Sequence, residues 1–157
     1  MLQLTRYSFG ATSAIITCLA FIISLGKITN PKYTIIGSLL VIAIADNISD
    51  SLGIHIYQES DLKRTEVVRI STFFNFITRF FVVFIFIFFI LFLPLLYASA
   101  LSLIWGISLL IVLSYYIAKE QKINPYKAII EHIGIAVVVV IASNYISEWI
   151  LNVFSTL

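Results

Sequence analysis

Apolar residues form five long runs along the chain, and short segments rich in charged residues, Gly or Pro separate them. A membrane-spanning helix needs about 20 mostly apolar residues, because the hydrocarbon core of a bilayer is about 30 Å thick. Each run is close to this length. The pattern therefore predicts an all-α integral membrane protein with five transmembrane helices in one domain, residues 1–157. The predicted helices cover about 7–25, 33–57, 70–93, 98–118 and 126–150.

The basic residues of the links predict how these helices cross the membrane, since cytoplasmic loops carry the excess of Lys and Arg. With the N-terminus in the cytoplasm, only Lys27 and Lys32 lie outside. The cytoplasmic side then holds Arg6, Lys63, Arg64, Arg69, Lys119, Lys122 and Lys127. The prediction is a cytoplasmic N-terminus and, because five spans place the termini on opposite sides, an outer C-terminus.

Composition agrees with this class and excludes several others. The chain is 61% hydrophobic and 11% charged, which does not describe a soluble domain. A net charge of +2, dispersed over short links, gives no basis for a nucleic-acid partner. The sequence holds no Gly-rich phosphate loop, no His-x-x-x-His pair and no nucleophile beside a base, so we predict neither an enzyme nor a bound cofactor.

Asp46 and Asp50 indicate a candidate functional site, because they lie inside the second predicted helix. A carboxylate within the membrane is costly and rare, and it marks a functional site by default. Gly53 follows Asp50 by three residues and Tyr57 follows Gly53 by four, so one helix face carries all four positions. We expect this face to look inward.

The first two predicted helices carry a further pattern. Helix one contains Gly10-Ala11-Thr12-Ser13-Ala14, and helix two contains Gly37, Ala45, Ser49, Gly53 and Tyr57. This order resembles the vacuolar iron transporter family, whose helix one has a Gly-x-x-Asp-Gly-type motif and whose helix two has an Ala-x-x-x-Ser-Met-x-x-Gly-x-Tyr-type motif. The resemblance implies a five-helix homodimer that moves ferrous iron or manganese out of the cytosol against a proton gradient.

The sequence departs from the family pattern in three places, and these affect whether the family's transport activity can be expected of this chain. Ser13 stands where the family has its helix-one Asp, and Asp50 stands where it has the Met after Ser49. The link 58–69 is much shorter than the acidic insert with which the family collects metal. The acid of helix one is thus lost while helix two gains one.

The candidate metal site consists of oxygen ligands, which suit hard divalent cations and a site that must release its ion. Its members are Asp46, Asp50, Ser13, Ser49 and Thr12. Carboxylates in such a site alternate between protonated and metal-bound forms, which is the basis of proton exchange. The alternative is that the two acids are structural, either hydrogen-bonded to neighbouring helices or paired with Arg79. For Arg79 itself, we favour a position at the lipid headgroups over a buried one.

A possible metal entry site lies at the predicted cytoplasmic ends of the helices. Its candidate residues are Glu59, Asp61, Glu131 and His132. The favoured alternative is that they are solvated helix-end groups that balance nearby lysines.

Two functions remain open from the sequence. The first is proton-coupled transport of a divalent metal ion, iron or manganese, out of the cytosol, in the plasma membrane of a microbe, with metal and protons as substrates. The second is a non-transporting structural or regulatory membrane subunit that retains the five-helix fold. Retention of Asp46 and the gain of Asp50 favour transport, whereas the missing helix-one acid favours the second.

Overall fold

A computed structural model describes residues 5–61 and 63–154, with side chains described from Gly10 onward. All regular structure in this part of the chain is helical. The helices are α1 (Thr5–Leu25), α2 (Pro31–Val41), a π-helical turn (Ile42–Asp46), α3 (Asn47–Ser60), α4 (Thr65–Phe92), α5 (Leu95–Glu120) and α6 (Pro125–Phe154). The side chain of Arg6, which entered the predicted orientation, lies outside the described residues.

The predicted all-α membrane class is confirmed in its coarse form. Among the described residues, four helices are long and apolar enough to cross a membrane, counting α2, the π turn and α3 as one rod, Pro31–Ser60. The other three are α4, α5 and α6. The apolar part of α1 described by side chains, Gly10–Leu25, is shorter. The fifth span and the orientation stay predictions.

Proline sets the start of three helices. Pro31 and Pro125 are the first residues of their helices, where a missing N–H costs nothing and the fixed φ suits a helical start. Pro94 comes directly before α5 and separates it from α4. The turn before Pro31 is completed by Asn30, whose φ of 52° lies in the left-handed region that Asn tolerates.

The start of α4 differs from the sequence prediction in a way that matters for the site. The helix begins at Thr65 rather than near residue 70. Its first turn contains Glu66, and a carboxylate there is favourable beside the positive end of the helix dipole. Arg79 therefore lies 14 residues into the helix, which is about 21 Å along its axis.

α1 is the central helix of the bundle. It packs against α4, α5 and α6, and Ala14, Ile15 and Cys18 have no exposed surface. Side chains from the other helices close the core around α1, among them Ile35, Leu39, Val83, Phe86, Ile90, Leu110 and Ala136. The outer faces remain apolar, with Phe81 62% and Val138 65% exposed, as expected for a surface that meets lipid.

Gly10 allows α1 and α4 to approach closely. A Cβ at this position would lie 2.4 Å from Oδ1 of Asn75 and 2.9 Å from the backbone oxygen of the same residue. Because a backbone atom is one of the neighbours, the clash is not relieved by a side-chain rotation alone. Small residues are used in this way at helix interfaces in membranes.

We expect Gly10→Ala to destabilise the fold by about 1–3 kcal/mol, the usual cost of overpacking a close contact. Gly37→Ala is the matched control, since a Cβ there meets nothing within 4 Å. That change should be neutral or stabilising, because Ala is the better helix former by about 0.5–1 kcal/mol. Thermal unfolding of both variants in detergent measures the difference, and equal midpoints would contradict the close approach.

Candidate functional site

The π turn in the middle of the rod Pro31–Ser60 positions the two acids. It covers Ile42–Asp46 and ends on the first of them. Such a turn inserts extra backbone into an α-helix and changes which residues face a neighbour, and π turns are frequent at functional sites. Asp50 follows one turn later in α3, so the two carboxylates lie one above the other beside α4.

Four side chains form the charge cluster, defined as Ser13, Asp46, Asp50 and Arg79. Nη1 of Arg79 donates to Oδ2 of Asp50 and, at 2.7 Å, to Oγ of Ser13. Nη2 of Arg79 donates to Oδ2 of Asp46. Oγ of Ser13 in turn donates to Oδ2 of Asp50 at 3.2 Å. The cluster therefore links α1, the π turn, α3 and α4.

The members of the cluster differ in exposure. The Arg79 side chain is 1% exposed, whereas those of Asp46 and Asp50 are 43% and 29% exposed. A guanidinium stays charged under all ordinary conditions, so the cluster carries one negative charge in excess when both acids are ionised. The cation is enclosed and the acids reach outward from it.

The expected headgroup position of Arg79 was wrong. The residue is buried and is paired with both acids. It lies near the middle of α4, on the side that faces α1 and α3, where its side chain reaches the two carboxylates and Ser13. A cation at that depth requires acidic partners, because burying it alone is very costly.

The expectation that one face of the rod Pro31–Ser60 carries both acids, Gly53 and Tyr57 inward was also wrong in part. Tyr57 is 69% exposed and Gly53 is exposed, while the two acids are half-buried. The buried positions are Asn47 and Ser51, each one residue after an acid. The face that meets α4 is thus displaced by one position from the face that carries the charges.

The predicted metal ligands are only partly brought together. Asp46, Asp50 and Ser13 meet at Arg79, as described. Ser49 lies on the exposed side of α3, and Thr12 is half-buried on α1. Among the described residues, neither Ser49 nor Thr12 contributes a hydrogen bond to the cluster, so the expectation that they help hold a metal has no support from this geometry.

The four residues of the predicted entry site do not form one group. Within residues 5–61 and 63–154, no three Asp, Glu, His or Cys residues converge so that they could hold a metal ion. Glu59 lies 3.2 Å from the imidazole of His55 on its own helix, and Asp61 lies 3.3 Å from Lys63. On α6, His132 Nδ1 is 2.8 Å from Oγ of Ser114 on α5, and Glu131 is exposed.

A polar interface between α3 and α4 was not predicted from the sequence. We call it the polar seam and define it as Asn47, Ser51, Gln58, Ser71 and Asn75. Asn47 donates to the backbone oxygen of Phe76 at 3.0 Å, and Asn75 donates to Ser51 Oγ at 3.4 Å. Gln58 donates to Ser71 Oγ at 2.9 Å. One sequence pattern could have predicted this seam. Two pairs of polar residues lie four positions apart within apolar helices, Asn47 with Ser51 and Ser71 with Asn75.

Comparisons of the chain with protein-family models, with curated proteins and with solved structures find no match. The resemblance to the vacuolar iron transporters therefore stays a prediction.

The chemistry open to the charge cluster follows from its contents. Two carboxylates and a hydroxyl are hard oxygen donors that accept a proton or a divalent cation. Arg79 occupies the space between the carboxylates, where a bridging cation would otherwise sit. A metal ion can therefore bind both acids only when the guanidinium moves aside.

Proposed function

We propose that this chain transports a divalent metal ion, iron or manganese, out of the cytosol in exchange for protons. The observation that carries the proposal is the ratio of two carboxylates to one guanidinium among apolar helices. A structural ion pair needs one carboxylate to neutralise Arg79. The second leaves a surplus negative charge, which a proton or a further cation balances.

Asp46 and Asp50 have different parts in this proposal. Asp50 accepts hydrogen bonds from both Arg79 and Ser13, which hold it beside the guanidinium. Among the described residues, Asp46 accepts only from Arg79, and it is the more exposed of the two acids. Asp46 is therefore the acid that first exchanges its partner for a proton or a metal ion, and Asp50 joins it as a ligand when Arg79 withdraws.

The outward exposure of the acids supports the homodimer that the resemblance implies. Charged groups at membrane depth face protein or water in preference to lipid. A second copy of the chain lying against the π turn would cover both carboxylates. The proposal includes this homodimer, five spans with a cytoplasmic N-terminus, and the plasma membrane of a microbe as the location.

A second function is favoured by one observation. Arg79 satisfies both carboxylates, so the cluster is also a means of joining α1, α3 and α4. In that case the chain is a non-transporting structural or regulatory membrane subunit, and no ion passes the cluster.

Flux measured in proteoliposomes decides between these functions. Purified protein is reconstituted with a metal-sensitive dye inside the vesicles, and Fe²⁺ or Mn²⁺ is added outside with and without a pH gradient. We expect metal uptake that depends on the gradient and is accompanied by proton movement in the opposite direction. Uptake equal to that of protein-free vesicles for both metals, from protein shown to be folded, would contradict transport and favour the second function.

A further inference from the structure

The polar seam contains buried oxygen atoms for which the protein supplies no donor. Among the described residues, the side-chain oxygens Oδ1 of Asn47, Oδ1 of Asn75 and Oε1 of Gln58 accept no hydrogen bond. Asn47 and Asn75 have no exposed surface at all. A buried carbonyl oxygen without a donor costs about 1–3 kcal/mol, and such groups are few in native proteins. Three along a single helix pair indicate that a donor other than the protein is bound there.

The residues that carry these oxygens follow one another along the α3–α4 contact toward the charge cluster, and Oδ1 of Asn75 also lies beside Gly10 of α1. α3 and α4 run antiparallel, so the contact of Gln58 with Ser71 lies nearest their connecting turn, and that of Ser51 with Asn75 lies further in. From Ser71 to Arg79 the helix advances eight residues, or about 12 Å. The innermost member, Asn47, is adjacent in sequence to Asp46.

A groove beside the seam provides space for small molecules. It has a volume of about 470 Å³ and is lined by Ser51, His55, Arg69 and Thr72 together with four apolar side chains. Ser51 is the member of the polar seam that reaches it. Each water molecule occupies about 30 Å³ of liquid, so the groove accommodates several. His55 Nδ1 and Thr72 Oγ1 are 3.2 Å apart in its wall, which adds two polar groups to those of the seam.

We propose that the polar seam is hydrated and that its water is the path by which protons reach the charge cluster from the α3–α4 turn. Water is the donor that the three amide oxygens need, and a chain of water and hydroxyl groups conducts protons. His55, Glu59 and Arg69 are the charged or titratable groups near the outer end, and Asp46, Asp50 and Arg79 are those at the inner end. The proton path rests on the transport function proposed above, whereas hydration of the seam does not.

Thiol accessibility tests hydration without reference to transport. Ser51→Cys is made in a Cys18→Ala background, and Ala98→Cys in the same background is the control, because Ala98 is equally enclosed but lies in the apolar core. A charged, membrane-impermeant methanethiosulfonate reagent is added to one side of proteoliposomes at a time. We expect Ser51→Cys to react about tenfold faster than Ala98→Cys or more, since only the seam holds water. Ser71→Cys repeats the test further out.

Several results would overturn the proposal. One is a reaction of both seam cysteines as slow as that of Ala98→Cys. Another is reaction with an uncharged, lipid-soluble maleimide alone, which would mean that lipid fills the groove. Asn75→Leu, which replaces the amide oxygen and nitrogen by two methyl groups on the same branched frame, should slow both the labelling of Ser51→Cys and any proton-coupled flux. Unchanged labelling and flux in that variant would also contradict the path. Labelling as expected, with no flux in the wild type, would leave the seam hydrated and defeat only the transport function and its proton path.

Discussion

Arg79→Met is expected to destabilise the protein by about 3–5 kcal/mol, the usual cost of removing one partner from a buried ion pair. The side chain is 1% exposed and donates to Asp46, Asp50 and Ser13. Without the guanidinium, two carboxylates lie close together with only Ser13 Oγ as a described donor, and like charges at short range repel each other. Unfolding followed by tryptophan fluorescence in detergent measures the loss.

The cause of this loss is tested by removing the negative charges as well. The triple variant with Asp46→Asn, Asp50→Asn and Arg79→Met contains no charge in the cluster, so it should regain most of the stability lost by Arg79→Met alone. Arg69→Met is the matched control, because Arg69 lies on the same helix and is exposed. An Arg79→Met protein as stable as the Arg69→Met control would show that the pairing does not hold the bundle together.

Metal flux should be lost in the variant that carries both Asp46→Asn and Asp50→Asn. An amide binds a divalent cation far less strongly than a carboxylate, and it carries no exchangeable acid proton. We expect gradient-driven uptake of Fe²⁺ or Mn²⁺ to fall to the level of protein-free vesicles. Asp46→Asn alone should have nearly the same effect, because Asp46 is the acid that exchanges its partner.

Ser49→Ala is the control for this experiment. Ser49 lies between the two acids in sequence but on the exposed side of α3, so its loss should leave flux unchanged. Unfolding of each variant is measured in the same preparation, because Asp46→Asn leaves Arg79 paired with Asp50 and should keep the fold. Flux in the double Asn variant equal to that of the wild type would remove both acids from the transport path.

The hydrophobic pattern predicted the helices well. Lipid offers no hydrogen-bond partners, so a long apolar run must pair its backbone N–H and C=O groups with one another, which requires a helix. Pro31, Pro94 and Pro125 fixed helix boundaries through their own covalent geometry, which depends on no distant contact. The start of α4 was missed by five residues, because charged residues surround it and lower the local hydropathy; these are Lys63, Arg64, Glu66 and Arg69.

Periodicity was a weaker guide to which face of a helix looks inward. The spacing of Asp46, Asp50, Gly53 and Tyr57 assumes a uniform helix in which charge points to the interior. The π turn and the packing against α4 place Asn47 and Ser51 inside instead, and the acids lie at the edge of the contact. A π turn has no reliable mark in a single sequence, since it arises from packing of the completed helix against its neighbours.

The sequence by itself determined the helical membrane class, the main helix breaks and the pairing candidates Asp46, Asp50, Ser13 and Arg79, because these depend on composition and on residues close together in the chain. Only the tertiary structure decided that Arg79 lies between both acids, that α1 is the central helix, and that Asn47, Ser51, Asn75, Ser71 and Gln58 form a seam. Ser13 and Arg79 are 66 residues apart. Their meeting is fixed by how α1 packs on α4, where Gly10 lets the two backbones approach, and no local pattern specifies that distance.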